Sequence, residues 1–205
     1  MIPTRAILDA NVLFDSYLRD LFLELALADN YAPLWTAEIL EELRRALGRR
    51  YPTSVDKHGR MIEALSLAFS DASVIAPKRP EGSLGCTDPG DEHVLWSAMS
   101  SEATHLVTHN ISDFPIANSA ENQPVIMSPD EFLMTLAARQ PVQVRDTATK
   151  LLRLYSRPSL TISELCRILE RSRCPQFAGW LSAPSRTVPT QAFQRPANTR
   201  SPRSE

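Results

Sequence analysis

The chain has 205 residues, room for one well-buried α/β unit with an appendage and too few for two full-sized domains. Hydrophobic residues make up 43%, charged residues 22%, and the formal charge is -2, a composition that excludes a bulk basic nucleic-acid signature and requires any RNA or DNA contact to be local. No stretch approaches the ~20 apolar residues of a membrane span, and the start MIPTRAILD lacks the basic-then-apolar build of a secretory signal, so the expectation is a cytoplasmic protein with no membrane contact.

Arg5 to Leu8 form a short apolar run ending in Asp9, which fits a buried first strand whose C-terminal end delivers the acid. Asn11 reads as the cap of a helix in which Val12, Leu13, Tyr17, Leu21, Leu25 and Ala28 recur at helical spacing, with Asp29 and Asn30 as its stop. Ala32 to Trp35 is a brief extended piece. Thr36 then opens a helix striped by Ile39, Leu40, Leu43 and Leu47, with Glu38 and Glu42 one turn apart along its edge. Ser54 to Ser70 reads as a charged helix, and SVIAP around Val74 as a further strand. The turn-rich EGSLGCTDPG places Asp91 in the first turn of a helix running through Val94, Leu95, Ala98 and Met99. His105 to Thr108 is a compact strand, followed by a loop with Asn110 and Asp113, a VIM strand, Pro129 and the helix DEFLMTLAA. This alternation argues for a mostly parallel sheet with helices on its faces over residues 1–140.

Beyond Gln140 the pattern changes. Val144 to Tyr155 and Ser163 to Leu169 read as two short helices of an appendage spanning 141–182, whose Leu151, Leu154, Leu165 and Phe177 serve either a partner or the core. Residues 183–205 hold few large apolar groups, cannot offset their ordering entropy, and are expected to be a disordered tail.

Asp9, Glu42, Asp91 and Asp113 each stand beside the end or edge of an element. Carboxylates gathered at a sheet rim repel one another unless a divalent cation reverses the balance, and hard oxygen ligands favour Mg²⁺ or Mn²⁺. Singly, each has a bland reading. Asp9 caps a helix, Glu42 belongs with Glu38 and Glu41 to a solvated face, and Asp91 competes with Asp88 and Glu92 for the helix start. Cys86, Cys166 and Cys174 are an odd number without zinc spacing, and His58, His93, His105 and His109 show no helical pairing, although His93 and His109 lie beside proposed site acids.

The segments ILDANVL, EILEEL, DPGDEHVL, LVTHNISDFP and SPDEFL closely resemble the PIN-domain family, and in particular the VapC-type ribonuclease toxins of toxin–antitoxin pairs, over roughly residues 5–135. The resemblance implies a PIN-like three-layer α/β/α fold with a central, mostly parallel sheet, followed by the small helical appendage. It places Asp9, Glu42, Asp91 and Asp113 on the family's acidic positions, with Asp9, Asp91 and Asp113 as metal ligands and Asn11, Thr108 and Asn110 as supporting polar groups. It further implies hydrolysis of RNA with Mg²⁺ or Mn²⁺, restraint by a cognate antitoxin protein, and a homodimer. His109 departs from the Arg, Gly or Phe expected there, which bears on substrate choice. Arg44, Arg45, Arg49 and Arg50, just after Glu42, are the candidate RNA-contact residues, a solvated helix end being the equal alternative. Two other readings compete. A haloacid-dehalogenase-like phosphatase with a nucleophilic Asp9 would need a second acid where Asn11 stands, and a non-cleaving RNA- or protein-binding module would keep the fold without the chemistry.

Overall fold

The computed structural model describes residues 4–79, 81–115, 123–155 and 160–184. The expected tail therefore lies outside the described residues from 185 onward.

Four short strands form one parallel sheet: β1 (Arg5–Leu8), β2 (Ala32–Leu34), β3 (His105–Val107) and β4 (Val125–Met127), in the order β2-β1-β3-β4. Ala6, Ile7 and Leu8 are fully buried in the central β1, which matches its unbroken apolar run. The register aligns Ile7 with Leu34 on one side and with Leu106 on the other. From β1 the chain turns outward to β2, and it later returns on the opposite side of β1 as β3. The C-terminal ends of β1 and β3 therefore flank the topological switch point, where open parallel sheets leave a crevice for ligands.

Helices α1 (Ala10–Phe14), α2 (Ser16–Leu27), α3 (Ala37–Arg50), α4 (Val55–Ala68), α5 (Glu92–Ser100) and α6 (Pro129–Arg139) cover the sheet. The single helix expected from Asn11 to Ala28 is two. Asp15 is extended, and its side chain accepts from the N–H groups of Tyr17 and Leu18 at 3.0 and 3.1 Å, so it starts a new helix rather than continuing the old one. Asn11 does not cap α1 either, because Asp9 holds that position. Around Val74 the expected strand shrinks to one bridge between Trp35 and Ser73. The pairing stops there because Ile75 has left the core, at 96% exposed, and Pro77 carries no N–H to donate.

Residues 141–182 hold three helices where two were expected: α7 (Pro141–Leu154), α8 (Ile162–Arg171) and α9 (Pro175–Ser182). Leu151, Leu165 and Phe177 are fully buried in the same hydrophobic cluster as β1, while Leu154 is exposed. The missed α9 is held from outside. Asp130 of α6 accepts from the N–H groups of Gln176 and Phe177 at 3.0 and 2.8 Å, and Arg145 of α7 donates to the carbonyls of Trp180 and Leu181 while its guanidinium lies 4.5 Å from the Trp180 ring.

Candidate active site at the β1 and β3 ends

The site starts from one locked carboxylate. Asp9 follows β1, its N–H donates to the carbonyl of Val107 at 3.1 Å, and only 3% of the residue is exposed. Its Oδ2 accepts from the Thr108 hydroxyl at 2.6 Å and from Asn11 Nδ2 at 2.7 Å. Asn11 Nδ2 also reaches Thr108 Oγ1 at 3.1 Å, and Asn11 Oδ1 accepts from the His109 N–H at 3.1 Å. Thr108 Oγ1 further accepts from the Asn110 N–H at 3.0 Å. Asn11 and Thr108 thus clamp one oxygen of Asp9 across the switch point. Oδ1 takes only a long 3.4 Å contact from the Asn11 N–H and keeps its lone pairs for a further partner. Asn110 contributes its backbone; its side chain is exposed and caps nothing.

Asp88, Asp91 and Glu92 differ in their hydrogen bonds. Asp88 accepts from the Gly90 N–H at 2.8 Å and caps the short 3-10 turn Pro89–Asp91. Glu92 is buried, accepting from the Ser83 hydroxyl at 2.7 Å and the Leu84 N–H at 3.0 Å and pairing with Arg79, so it fastens the preceding loop to α5. Asp91 is left with no capping hydrogen bond. Its carboxyl is pushed up to about 6, first by desolvation and then by the charges of Asp9, Asp88, Asp113 and Glu42. The Asp9 carboxyl is also raised, by burial above all, with the Thr108 hydrogen bond opposing and the Glu42 charge adding to the rise.

Glu42 lies on α3 beside the buried Ile39 and Leu43, with its side chain 48% exposed. His93, the second residue of α5, stands between two glutamates: Nε2 is 3.4 Å from Glu42 and Nδ1 is 3.7 Å from Glu38. Burial alone would lower its pKa, yet the hydrogen bond to Glu42 and the charges of Glu38, Glu42 and Asp9 bring it above the ordinary value. His93 is the neighbour that reading residue by residue undervalued; its signal was its place two residues after Asp91 on the same helix. Asp113 closes a 3-10 turn, Ile111–Asp113, fixed by the Thr87 N–H donating to its carbonyl at 2.7 Å. Arg44 and Arg45 are both tied to Glu41, at 2.7 and 2.8 Å, on the outer face of α3, and Arg50 lies over the Tyr51 ring at 5.0 Å.

The donor set is hard oxygen, and the neighbouring acid charges that add to desolvation in raising Asp9 and Asp91 are what a divalent cation would offset, so the residues fit Mg²⁺ or Mn²⁺ in kind. Among the described residues no three acids or histidines yet stand close enough to enclose an ion. The carboxylates sense one another as a field rather than as a closed shell.

Comparison with known proteins agrees with this architecture. The family model for the PIN domain matches residues 5–112, ending one residue before Asp113, and the model for the VapC50 C-terminal domain matches residues 129–183. No curated protein and no solved structure matches the chain. With the PIN match covering more than half of its length and the C-terminal match following, this chain belongs to the PIN-domain family, among the VapC-type toxins.

Proposed function

We propose that the protein is a metal-dependent endoribonuclease, the toxin of a toxin–antitoxin pair, hydrolysing RNA phosphodiester bonds at the crevice between β1 and β3. The observation that carries this reading is the convergence of Asp9, Glu42, Asp91 and Asp113 near the switch point, close enough that the charges of the other three add to desolvation in raising the Asp91 carboxyl. Asp9, Asp91 and Asp113 would hold the cation. When bound, Mg²⁺ or Mn²⁺ supplies positive charge at the scissile phosphate and lowers the pKa of water. The chain's own residues do the positioning: Thr108 and Asn11 hold Asp9 Oδ2 and leave Oδ1 for the cation, and Glu42, steadied by His93, would stand as an acceptor for the attacking water. Residues 1–140 would carry this chemistry, with 141–182 as a helical extension. Restraint by a cognate antitoxin and a homodimeric state belong to the same proposal. No helix among the described residues is long and apolar enough to cross a membrane.

A non-cleaving binding module is the second reading, favoured by the lack of a closed ligand shell among the described residues. The phosphatase reading gains nothing, because Asn11 spends its amide on holding Asp9 and offers no acid. Total RNA incubated with the purified protein in Mg²⁺, Mn²⁺ or EDTA, beside folded Asp9→Asn and Asp91→Asn variants, separates the readings. The nuclease yields discrete, metal-dependent products that both variants lose; a binding module yields none.

A further inference from the structure

A cluster of carboxylates repels the polyanion it is proposed to cut, so cations must seat the strand beside it. Several arginines near the site acids in sequence are engaged elsewhere. Arg44 and Arg45 belong to Glu41, Arg79 belongs to Glu92, and Arg19 bonds the Leu13 carbonyl and lies 3.4 Å from Asp20. Arg173, exposed, comes to this end of the sheet from the far end of the chain.

Helix α8 ends against the catalytic half. The Ser172 hydroxyl donates to Asp15 Oδ2 at 2.6 Å, while Asp15 Oδ1 caps α2. Asp15 follows α1, whose own cap is Asp9. The next residue, Arg173, turns the chain back in the left-handed region at φ 60°, with its N–H donating to the Glu170 carbonyl at 3.1 Å and the Cys174 N–H to the Leu169 carbonyl at 2.8 Å. This paired closure is a Schellman end, and Arg173 occupies the position where glycine is preferred. Its side chain is exposed and enters none of the ion pairs found among the described residues. Its charge reaches His109, whose pKa is lowered by burial and then by Arg173, with Asp15 opposing. His109 in turn follows Thr108 and donates its N–H to Asn11, the two groups that clamp Asp9.

We propose that Arg173 is a phosphate-binding residue of the active site: the C-terminal helices, through the Ser172 to Asp15 hydrogen bond, deliver a free guanidinium to the edge of the β1 and β3 crevice, where it seats a phosphate of the RNA strand next to the acids. The inference rests on the reading of RNA as the substrate. It gives the C-terminal region a part in substrate binding as well as in packing. Guanidinium matches phosphate geometry in a fork that lysine lacks, though lysine retains the charge.

The test uses the full chain and a single-stranded RNA oligonucleotide, with affinity read by fluorescence anisotropy in EDTA over a series of salt concentrations, and kcat and KM for cleavage read in Mn²⁺. Arg173→Gly removes the charge and suits the left-handed backbone, so folding does not confound it; Arg173→Lys keeps the charge, and Arg171→Ala is an exposed control on the same helix. The expected result for Arg173→Gly is affinity lowered about tenfold, with the slope of log affinity against log salt shallower by about 0.7, as for one lost single-strand contact. KM rises while kcat changes little, Arg173→Lys retains the slope, and Arg171→Ala resembles wild type. Wild-type binding and cleavage with Arg173→Gly unchanged overturns this inference and leaves the nuclease reading intact. RNA bound but never cleaved by wild type, with the slope lost in Arg173→Gly, supports the inference and defeats the nuclease reading. No RNA binding by wild type overturns both.

Discussion

Half-buried among four other carboxylates, Asp91 resists ionisation, and this gives the site a measurable pH signature. Its pKa rises from 3.8 to about 6 in the folded chain. The folded state therefore holds the proton more tightly than the unfolded state, so the metal-free protein loses stability as pH rises from about 4 through 6 and gains it as pH falls back. Asp91→Asn removes that slope: its melting temperature in EDTA at pH 7.5 is expected to exceed that of wild type by a few degrees, while cleavage is abolished. In wild type, Mn²⁺ affinity is expected to fall as pH drops below about 6, where Asp91 of the metal-free protein regains its proton, and cleavage at limiting Mn²⁺ is expected to fall with it. Thr108 offers a second residue-level test. It is fully buried and joins Asp9, Asn11 and the Asn110 N–H through one hydroxyl. Thr108→Val keeps the shape and is expected to cost about 1.5–3 kcal/mol in urea unfolding, the range for a hydrogen bond to a charged group, along with most of the activity. At this scale the sequence was informative where a strand delivered an acid, as at Asp9, and ambiguous where three acids crowded one turn. Only their hydrogen bonds tell the three apart, since Asp88 and Glu92 are spent on local structure and Asp91 is not.

Among elements, two of the places where pattern reading failed involve a residue far away in the chain. Helical spacing runs smoothly through Asp15, yet its carboxylate caps α2 and is itself fixed by Ser172, 157 positions away. Helix α9 carries Pro175 at its start and Gly179 inside it, and reads as loop until Asp130 supplies the missing acceptor. Asp130→Ala is expected to cost about 2–4 kcal/mol, because it strands two helix N–H groups beside the buried Phe177. At the end of α8 the prediction has the opposite sign. Arg173→Gly relieves a left-handed non-glycine residue and is expected to stabilise the protein by about 0.5–1 kcal/mol in the same unfolding assay. The capping boxes Ser128 with Glu131 and Thr161 with Glu164, by contrast, are local, and α6 and α8 begin where their sequences indicate.

For the whole molecule, the alternation of strand and helix was enough to place a parallel sheet and its switch point, because a buried β1 and the turn back to β3 leave few alternatives. The relation of the C-terminal helices to that sheet was not legible, since apolar stripes such as Leu151 and Leu165 look alike whether they meet a core or a partner. Both are fully buried in one continuous cluster with β1 and α6. Leu151→Ala is expected to cost about 2–5 kcal/mol in urea unfolding. The acids, in turn, stand just before α1 and α5, on α3 and in the turn after β3, so their approach to one another is a property of the whole fold. The most direct measurement is calorimetric titration of EDTA-treated wild type, Asp9→Asn and Asp91→Asn with Mn²⁺, with circular dichroism confirming that all three are folded. Saturable binding by wild type that is lost in both variants is the predicted result; no binding by wild type, or equal binding by all three, would contradict a shared cation site.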